Sequence, residues 1–107
     1  MNIILSDRFK RKAKALAKKH HSFKADLIDL GNALRENPQQ GTPLGKDCFK
    51  VRMAISSKNK GKSGGARVIT CVKIEAENIY FLSIYDKSSQ SSIEDDEIDE
   101  ILKELDL

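Results

Sequence analysis

The hydrophobic period changes from helical to extended in the middle of this chain, and that change restricts its class of fold. Up to residue 37 apolar side chains recur every three or four residues: Phe9, Ala13, Leu16 and Ala17, then Phe23, Leu27, Leu30 and Leu34. That spacing lines one face of an α-helix. From residue 49 the period drops to two. Phe49, Val51, Met53 and Ile55 alternate with Lys50, Arg52 and Ala54, as in a half-buried strand. Helices followed by strands in 107 residues make an α+β chain with one modest core, so we expect one domain over residues 1–107.

Local signals divide the chain further. Asn2 to Leu5 is a short apolar run that reads as a first strand. Ser6 offers a helix N-cap, with Asp7 in the first turn where a negative charge suits the helix dipole. His20-His21-Ser22 interrupts the helical pattern, which predicts a helical hairpin. Asn37-Pro38 closes the second helix, because the residue before proline avoids the helical region. Residues 39–45 are turn-rich. Strands over 48–56, 66–74 and 79–85 form a meander. Residues 56–65 between them are a flexible basic loop without an apolar anchor. The last two strands are apolar on both faces, so both sides of the sheet are covered at least in part. Ser91 and Glu94 have capping-box spacing, and Ile98, Ile101, Leu102 and Leu105 form one stripe of an otherwise acidic final helix.

No run approaches 18 consecutive apolar residues, so no membrane span is expected. The N-terminus has no basic start followed by an apolar run, so no signal peptide is expected. The expected location is the cytoplasm, with Cys48 and Cys71 reduced.

The net charge of +3 hides a division. Residues 1–73 carry 17 Lys and Arg against 5 Asp and Glu, while residues 74–107 carry 2 against 11. A basic body points to a polyanionic partner, and an acidic end to internal masking. Lys10, Arg11, Lys14 and Lys18 share the outer face of the first helix.

Most apparent motifs dissolve on inspection. Gly61-Lys62-Ser63 lacks the glycine a phosphate-binding loop needs five residues earlier, where Ser56 stands, and it leads into a strand. Its neighbours Lys58, Lys60 and Lys62 remain mobile point charges able to reach phosphates. His20 and His21 have no partners at metal-ligand spacing and read as a solvated turn. Cys48 and Cys71 approach each other if their strands pair, and otherwise read as core thiols. The carboxylates of residues 94–100 lack calcium-loop spacing. No metal site and no cofactor are expected.

One constellation is informative. Lys50 and Arg52 lie on one side of one strand, and Arg67 falls beside them if the 57–65 segment closes a hairpin. Tyr85 and Lys87 stand at the end of the last strand and complete one basic pocket. Like charges on neighbouring strand positions repel, so such a cluster suggests an anionic ligand; spacing alone slightly favours ordinary surface cations.

Phe49-Lys50-Val51-Arg52-Met53, Gly65-Ala66-Arg67-Val68-Ile69 and Ile84-Tyr85-Asp86-Lys87, with Asn37-Pro38, Gly41 and Leu44 between helix and sheet, resemble the RelE/ParE toxin superfamily, in particular its RelE/HigB-like branch. The likeness covers essentially the whole chain. It implies an α+β RelE-like fold, with an N-terminal strand and helical hairpin packed on a mostly antiparallel sheet that holds a three-strand meander and a C-terminal helix. It implies the toxin of a type II toxin–antitoxin pair that cuts mRNA in the ribosomal A site without metal, by attack of the ribose 2′-OH on the adjacent phosphate, and so inhibits translation. Its partners would be a cognate antitoxin, the ribosome and mRNA, with operator DNA reached only through the antitoxin. The family's basic positions match Lys50, Arg52, Arg67 and Lys87. Arg67 would hold the phosphate, Lys50 would be the base if the cluster lowers its pKa, and Lys87 or Arg52 would support the leaving oxygen. Tyr85 would stack on a base or donate a hydrogen bond, in place of the tyrosine that some relatives carry near the position of Ile93. Lys10, Arg11 and Lys14 would track RNA by charge. Two further readings stay open: a ParE-like inhibitor of DNA gyrase, which has no need of the basic pocket, and a catalytically silent RNA-binding relative.

Overall fold

Ser6 sets the first junction of the fold. Its Oγ accepts the Phe9 N–H at 3.0 Å, and its hydroxyl donates to the Leu82 carbonyl at 2.7 Å. One side chain thus caps a helix and ties it to the sheet. The computed structural model describes residues 1–107. The elements are β1 (Asn2–Leu5), α1 (Asp7–Lys19), α2 (Phe23–Glu36), β2 (Thr42–Gly45), β3 (Cys48–Met53), β4 (Ala66–Lys73), β5 (Asn78–Asp86) and α3 (Asp95–Glu104), with one 3₁₀ turn at Ser56–Lys58. The fold is α+β. Its five strands run in the order β1-β5-β4-β3-β2, with β1 parallel to β5 and all other neighbours antiparallel.

Two cores cover the two faces of the sheet. On one, Phe9, Leu16, Phe23 and Leu34 of the helices pack on Val51, Val68, Phe81 and Ile84. Phe9 and Phe81 meet edge to face, with ring centroids 5.3 Å apart. On the other, Ile98, Ile101 and Leu102 of α3 cover Cys48, Ile69, Cys71, Leu82 and Tyr85. No helix is long and apolar enough to cross a membrane.

The structure corrects the sequence reading at several points. Residues 42–45 are a strand, not a turn: Thr42 pairs with Lys50 and Pro43 with Phe49, then a register shift brings Gly45 to Cys48. Pro43 is tolerated because β2 is an edge strand. The meander's first strand ends at Met53, not residue 56, although Ile55 remains buried. The expected capping box does not form; α3 begins at Asp95, and Glu94 makes no side-chain cap. Asp95, Asp96 and Glu97 instead place three carboxylates against the positive end of the helix dipole.

A bulge in β5 decides which residues share a face. Ile69 pairs with Ser83 but Thr70 pairs with Phe81, so Leu82 is the extra residue. Past the bulge the alternation inverts. Ile84 joins the core under the helical hairpin and Tyr85 the core under α3.

Candidate active site

Arg52, Arg67 and Tyr85 form one row across β3, β4 and β5, Arg52 opposite Arg67 and Arg67 opposite Tyr85. The Arg52–Arg67 pair occurs at the closest kind of cross-strand site. The Val72 N–H donates to the Asp47 carbonyl at 2.9 Å, which makes that pair a hydrogen-bonded one. Pair types alternate along an antiparallel ladder. Counting along the unbroken β3–β4 register, Cys48–Cys71, Lys50–Ile69 and Arg52–Arg67 are all of the non-hydrogen-bonded type, with Cα atoms about 4.5 Å apart. Two facing guanidinium groups at such a site repel.

The loop after β3 dictates where Arg67 points. Its Nη1 donates to the carbonyls of Lys62 at 2.9 Å and Ala66 at 3.1 Å, and its Nη2 to that of Ser63 at 3.3 Å. A guanidinium has five N–H donors. Nε–H makes no hydrogen bond and Nη2 makes only the 3.3 Å one; Nε and Nη2 form the edge of a guanidinium that can meet two oxygens of a phosphate. Arg67 is 6% exposed, so that edge is held in a partly dry setting.

The other expected residues fall around this row unequally. Lys50 is half-buried one step along the face and Arg52 is exposed. Arg52 and Lys62 also line a cleft of about 280 Å³ against Asp29 and Ala33 of α2. The Lys87 ammonium and the Tyr85 hydroxyl both reach the Ser91 carbonyl, at 3.4 and 3.5 Å. Tyr85 is only 4% exposed, so its ring does not present a stacking face. Burial pushes its phenol up, and the nearby charge of Arg67 opposes that. None of Lys50, Arg52, Arg67 and Lys87 is among the seven ion pairs.

Lys58 is not the mobile charge expected from its loop. Its Nζ lies 2.8 Å from Asp86 Oδ1, and its side chain is 11% exposed. Asp86 also accepts the Ser88 N–H at 3.0 Å and the Ser88 hydroxyl at 2.7 Å, and His20 Nε2 lies 3.5 Å from it. Burial works to raise the Asp86 carboxyl, but Lys58 and Ser88 outweigh it and hold it well below the usual carboxylate range. His20 is therefore not a solvated turn residue. A second buried carboxylate, Asp26, accepts the Ser56 N–H at 2.9 Å and the Ser22 hydroxyl at 2.7 Å. Asp26 and Asp86 together pin the start of the loop whose far end holds Arg67. Sequence reasoning missed both. The signal was there for Asp86, which stands between two residues already singled out, but its partners Lys58 and His20 are remote in sequence.

The cations of α1 divide. Lys10, Arg11 and Lys14 are exposed and free of carboxylates. Arg8 pairs with Glu100 at 3.0 Å and Glu104 at 3.1 Å, and Lys12 with Glu97 at 3.2 Å. Lys46 pairs with Asp99. The acidic helix α3 thus neutralises one flank of the basic body. Lys60 and Lys62 are exposed.

A small α+β protein whose sheet carries cations without carboxylate partners, one of them an arginine held by its own loop, has the chemistry to receive an anion. The family model for the RelE toxin of the RelE/RelB toxin–antitoxin system matches residues 1–105, and the chain belongs to that family. A double arginine-to-alanine variant of the E. coli toxin RelE, solved in the free state, has a similar fold. Its TM-score is 0.60, at 17% identity, over 97% of this chain and 96% of that one. Comparison with curated proteins finds no match.

Proposed function

We propose that this chain is the toxin of a type II toxin–antitoxin pair and that it cuts mRNA in the ribosomal A site. The carrying observation is Arg67, a guanidinium held by loop carbonyls and without a carboxylate partner, set opposite Arg52 with Lys50 one step along the same face. The reaction is attack of a ribose 2′-oxygen on the adjacent phosphorus. The bond to the 5′-oxygen breaks, leaving a cyclic phosphate and a 5′-OH. Two protons must move: one leaves the 2′-oxygen and one reaches the 5′-oxygen.

Arg67 binds two non-bridging oxygens and stabilises the charge that builds on them. Lys50, in its neutral amine form, takes the 2′-proton. Lys87 supplies the proton to the leaving oxygen, or Arg52 supports that oxygen by hydrogen bonding. Tyr85 acts through its position behind Arg67 and its hydroxyl rather than by stacking. Lys10, Arg11, Lys14, Lys60 and Lys62 follow the RNA backbone by charge. A cognate antitoxin segment folds over the toxin and holds it inactive.

The test maps mRNA 5′ ends in a translation reaction containing the purified protein, with and without ribosomes. Cuts confined to translated messages, and absent with Arg67→Ala, support the reading. Intact messages overturn it, and inhibition of gyrase supercoiling under the same conditions would replace it.

A further inference from the structure

Cys48 and Cys71 are both free, 1% and 0% exposed, and directly opposite each other on β3 and β4. They are the first non-hydrogen-bonded pair after the bonded Asp47–Val72 pair. At such sites the Cα atoms lie about 4.5 Å apart and the side chains stand closest. That separation falls within the roughly 4.4–6.8 Å that a disulfide spans. Both sulfurs also lie near one oxygen, the Lys46 carbonyl, at 3.5 and 3.8 Å. They occupy the face covered by Ile98, Ile101 and Leu102, four residues along the strands from the Arg52–Arg67 pair on that same face.

We propose that Cys48 and Cys71 are a peroxide-oxidisable dithiol that closes to a cross-strand disulfide within the folded toxin. In the first step Cys71 sulfur attacks a peroxide oxygen, giving a sulfenic acid and releasing water. In the second, Cys48 sulfur displaces the sulfenic oxygen as water, forming the S–S bond. Two thiols and one hydrogen peroxide thus yield a disulfide and two waters. The order of attack follows the local chemistry. The Cys48 thiol stands opposite Cys71 and favours its charged form, and the Lys73 charge does the same. Together they outweigh burial and hold the Cys71 thiol below its ordinary range, the thiolate being the nucleophile.

Helix α3 controls access. Its ion pairs join side chains that are partly or largely exposed: Arg8 with Glu100 and Glu104, Lys12 with Glu97, and Lys46 with Asp99. Such pairs weaken with salt. Local opening of a peripheral helix then admits peroxide. The crosslink would restrain the hairpin that carries both Arg52 and Arg67. It does not depend on the RNA reading.

The experiment treats the full-length purified chain with hydrogen peroxide at low and high salt, followed by intact mass, peptide mapping and thermal melting. The expected product has lost two hydrogens, contains a Cys48–Cys71 linked peptide, and forms faster at high salt. It melts several degrees above the reduced form, and a dithiol reductant reverses the change. Cys48→Ser and Cys71→Ser each abolish the linked peptide. Thiols that survive peroxide sufficient to oxidise the urea-unfolded chain would overturn the proposal. So would oxygen addition without a link, links only between molecules, or an internal link that fails to raise the melting temperature.

Discussion

Arg67 faces Arg52 across the β3–β4 ladder at a site where the strands exchange no hydrogen bonds and side chains stand closest. The repulsion of that pair is tolerated because the Lys62 and Ser63 carbonyls draw the Arg67 guanidinium into the loop. The same bonds that stabilise it aim its remaining edge. A structural role and the proposed phosphate-binding role therefore reside in one side chain.

Arg67→Ala should reduce mRNA cleavage by about 10²-fold or more, the typical loss of a donor to developing charge. It should also cost about 1 kcal/mol of stability through the freed loop carbonyls. Arg67→Lys keeps the charge but not the two-pronged edge, and should recover little of the cleavage. Single-turnover cleavage and urea unfolding, measured on the same preparations, separate the two effects. Full cleavage by the alanine variant would remove Arg67 from the mechanism.

The buried carboxylates predict the acid sensitivity of the fold. Asp86 and Asp26 are both held below the ordinary carboxylate range. For Asp26 burial opposes the shift, and the hydroxyls of Ser56 and Ser22 outweigh it. A depressed folded-state pKa contributes stability above the unfolded value of about 4, and that stability is lost as pH falls through the folded value. The urea midpoint should thus drop as pH is lowered below about 4. Asp86→Asn should flatten that limb while costing about 3 kcal/mol at neutral pH, because Lys58 is left buried without its partner. An unchanged acid limb in both Asp86→Asn and Asp26→Asn would contradict this account.

The acidic helix should mask nucleic-acid binding at its own flank. Changing Glu97, Glu100 and Glu104 together to Gln frees Arg8 and Lys12. Affinity for a short RNA should rise several-fold at low salt and converge with that of the natural chain at high salt. Stability should change little, as exposed ion pairs contribute about 0–1 kcal/mol each. The point substitutions are preferable to deleting residues 93–107, which would uncover Ile69, Leu82 and Tyr85. Equal affinities at low salt would show that α3 masks nothing.

Tyr85 allows its two possible contributions to be separated. Tyr85→Phe removes a hydroxyl that makes only a long contact with the Ser91 carbonyl, and should leave folding nearly unchanged. Tyr85→Ala empties a buried ring site and should cost about 3 kcal/mol or more. Cleavage retained by the phenylalanine variant would assign Tyr85 to support of Arg67; a large loss would place the hydroxyl in the reaction.

Gly65 tests how tightly the loop is closed. A Cβ there would stand 2.1 Å from the Met53 carbonyl oxygen, so backbone must yield. Gly65 also accepts the Lys87 N–H at 3.0 Å. Gly65→Ala should lower the melting temperature by several degrees and reduce cleavage along with it. An alanine variant as stable as the parent would show that the hairpin has slack.

Much of the fold was legible because its signals are local. The helices over Asp7–Lys19 and Phe23–Glu36 follow from apolar spacing, a serine cap and a proline stop. The first meander strand follows from period two, and the other two from β-branched, apolar runs between turn signals. β2 was not legible: Thr42-Pro43-Leu44-Gly45 has turn composition, and only pairing with β3 makes it a strand. Around the site, the placement of Lys50, Arg52 and Arg67 on neighbouring strands was readable from alternation. The burial of Lys58 was not, since Asp86 lies 28 residues away.

By itself, the sequence determined the class of fold, the order of every element but β2, the cap at Ser6 and the division into a basic body and an acidic final helix. These depend on side-chain periodicity and charge, which act over a few residues. Tertiary structure decided the rest. The extra residue Leu82 turns Tyr85 toward the α3 face and Asp86 toward Lys58 and His20. Loop carbonyls select the free edge of Arg67, and strand register sets Cys48 against Cys71. Each of these depends on a pairing register between distant segments, where a shift of one residue exchanges the faces of a sheet.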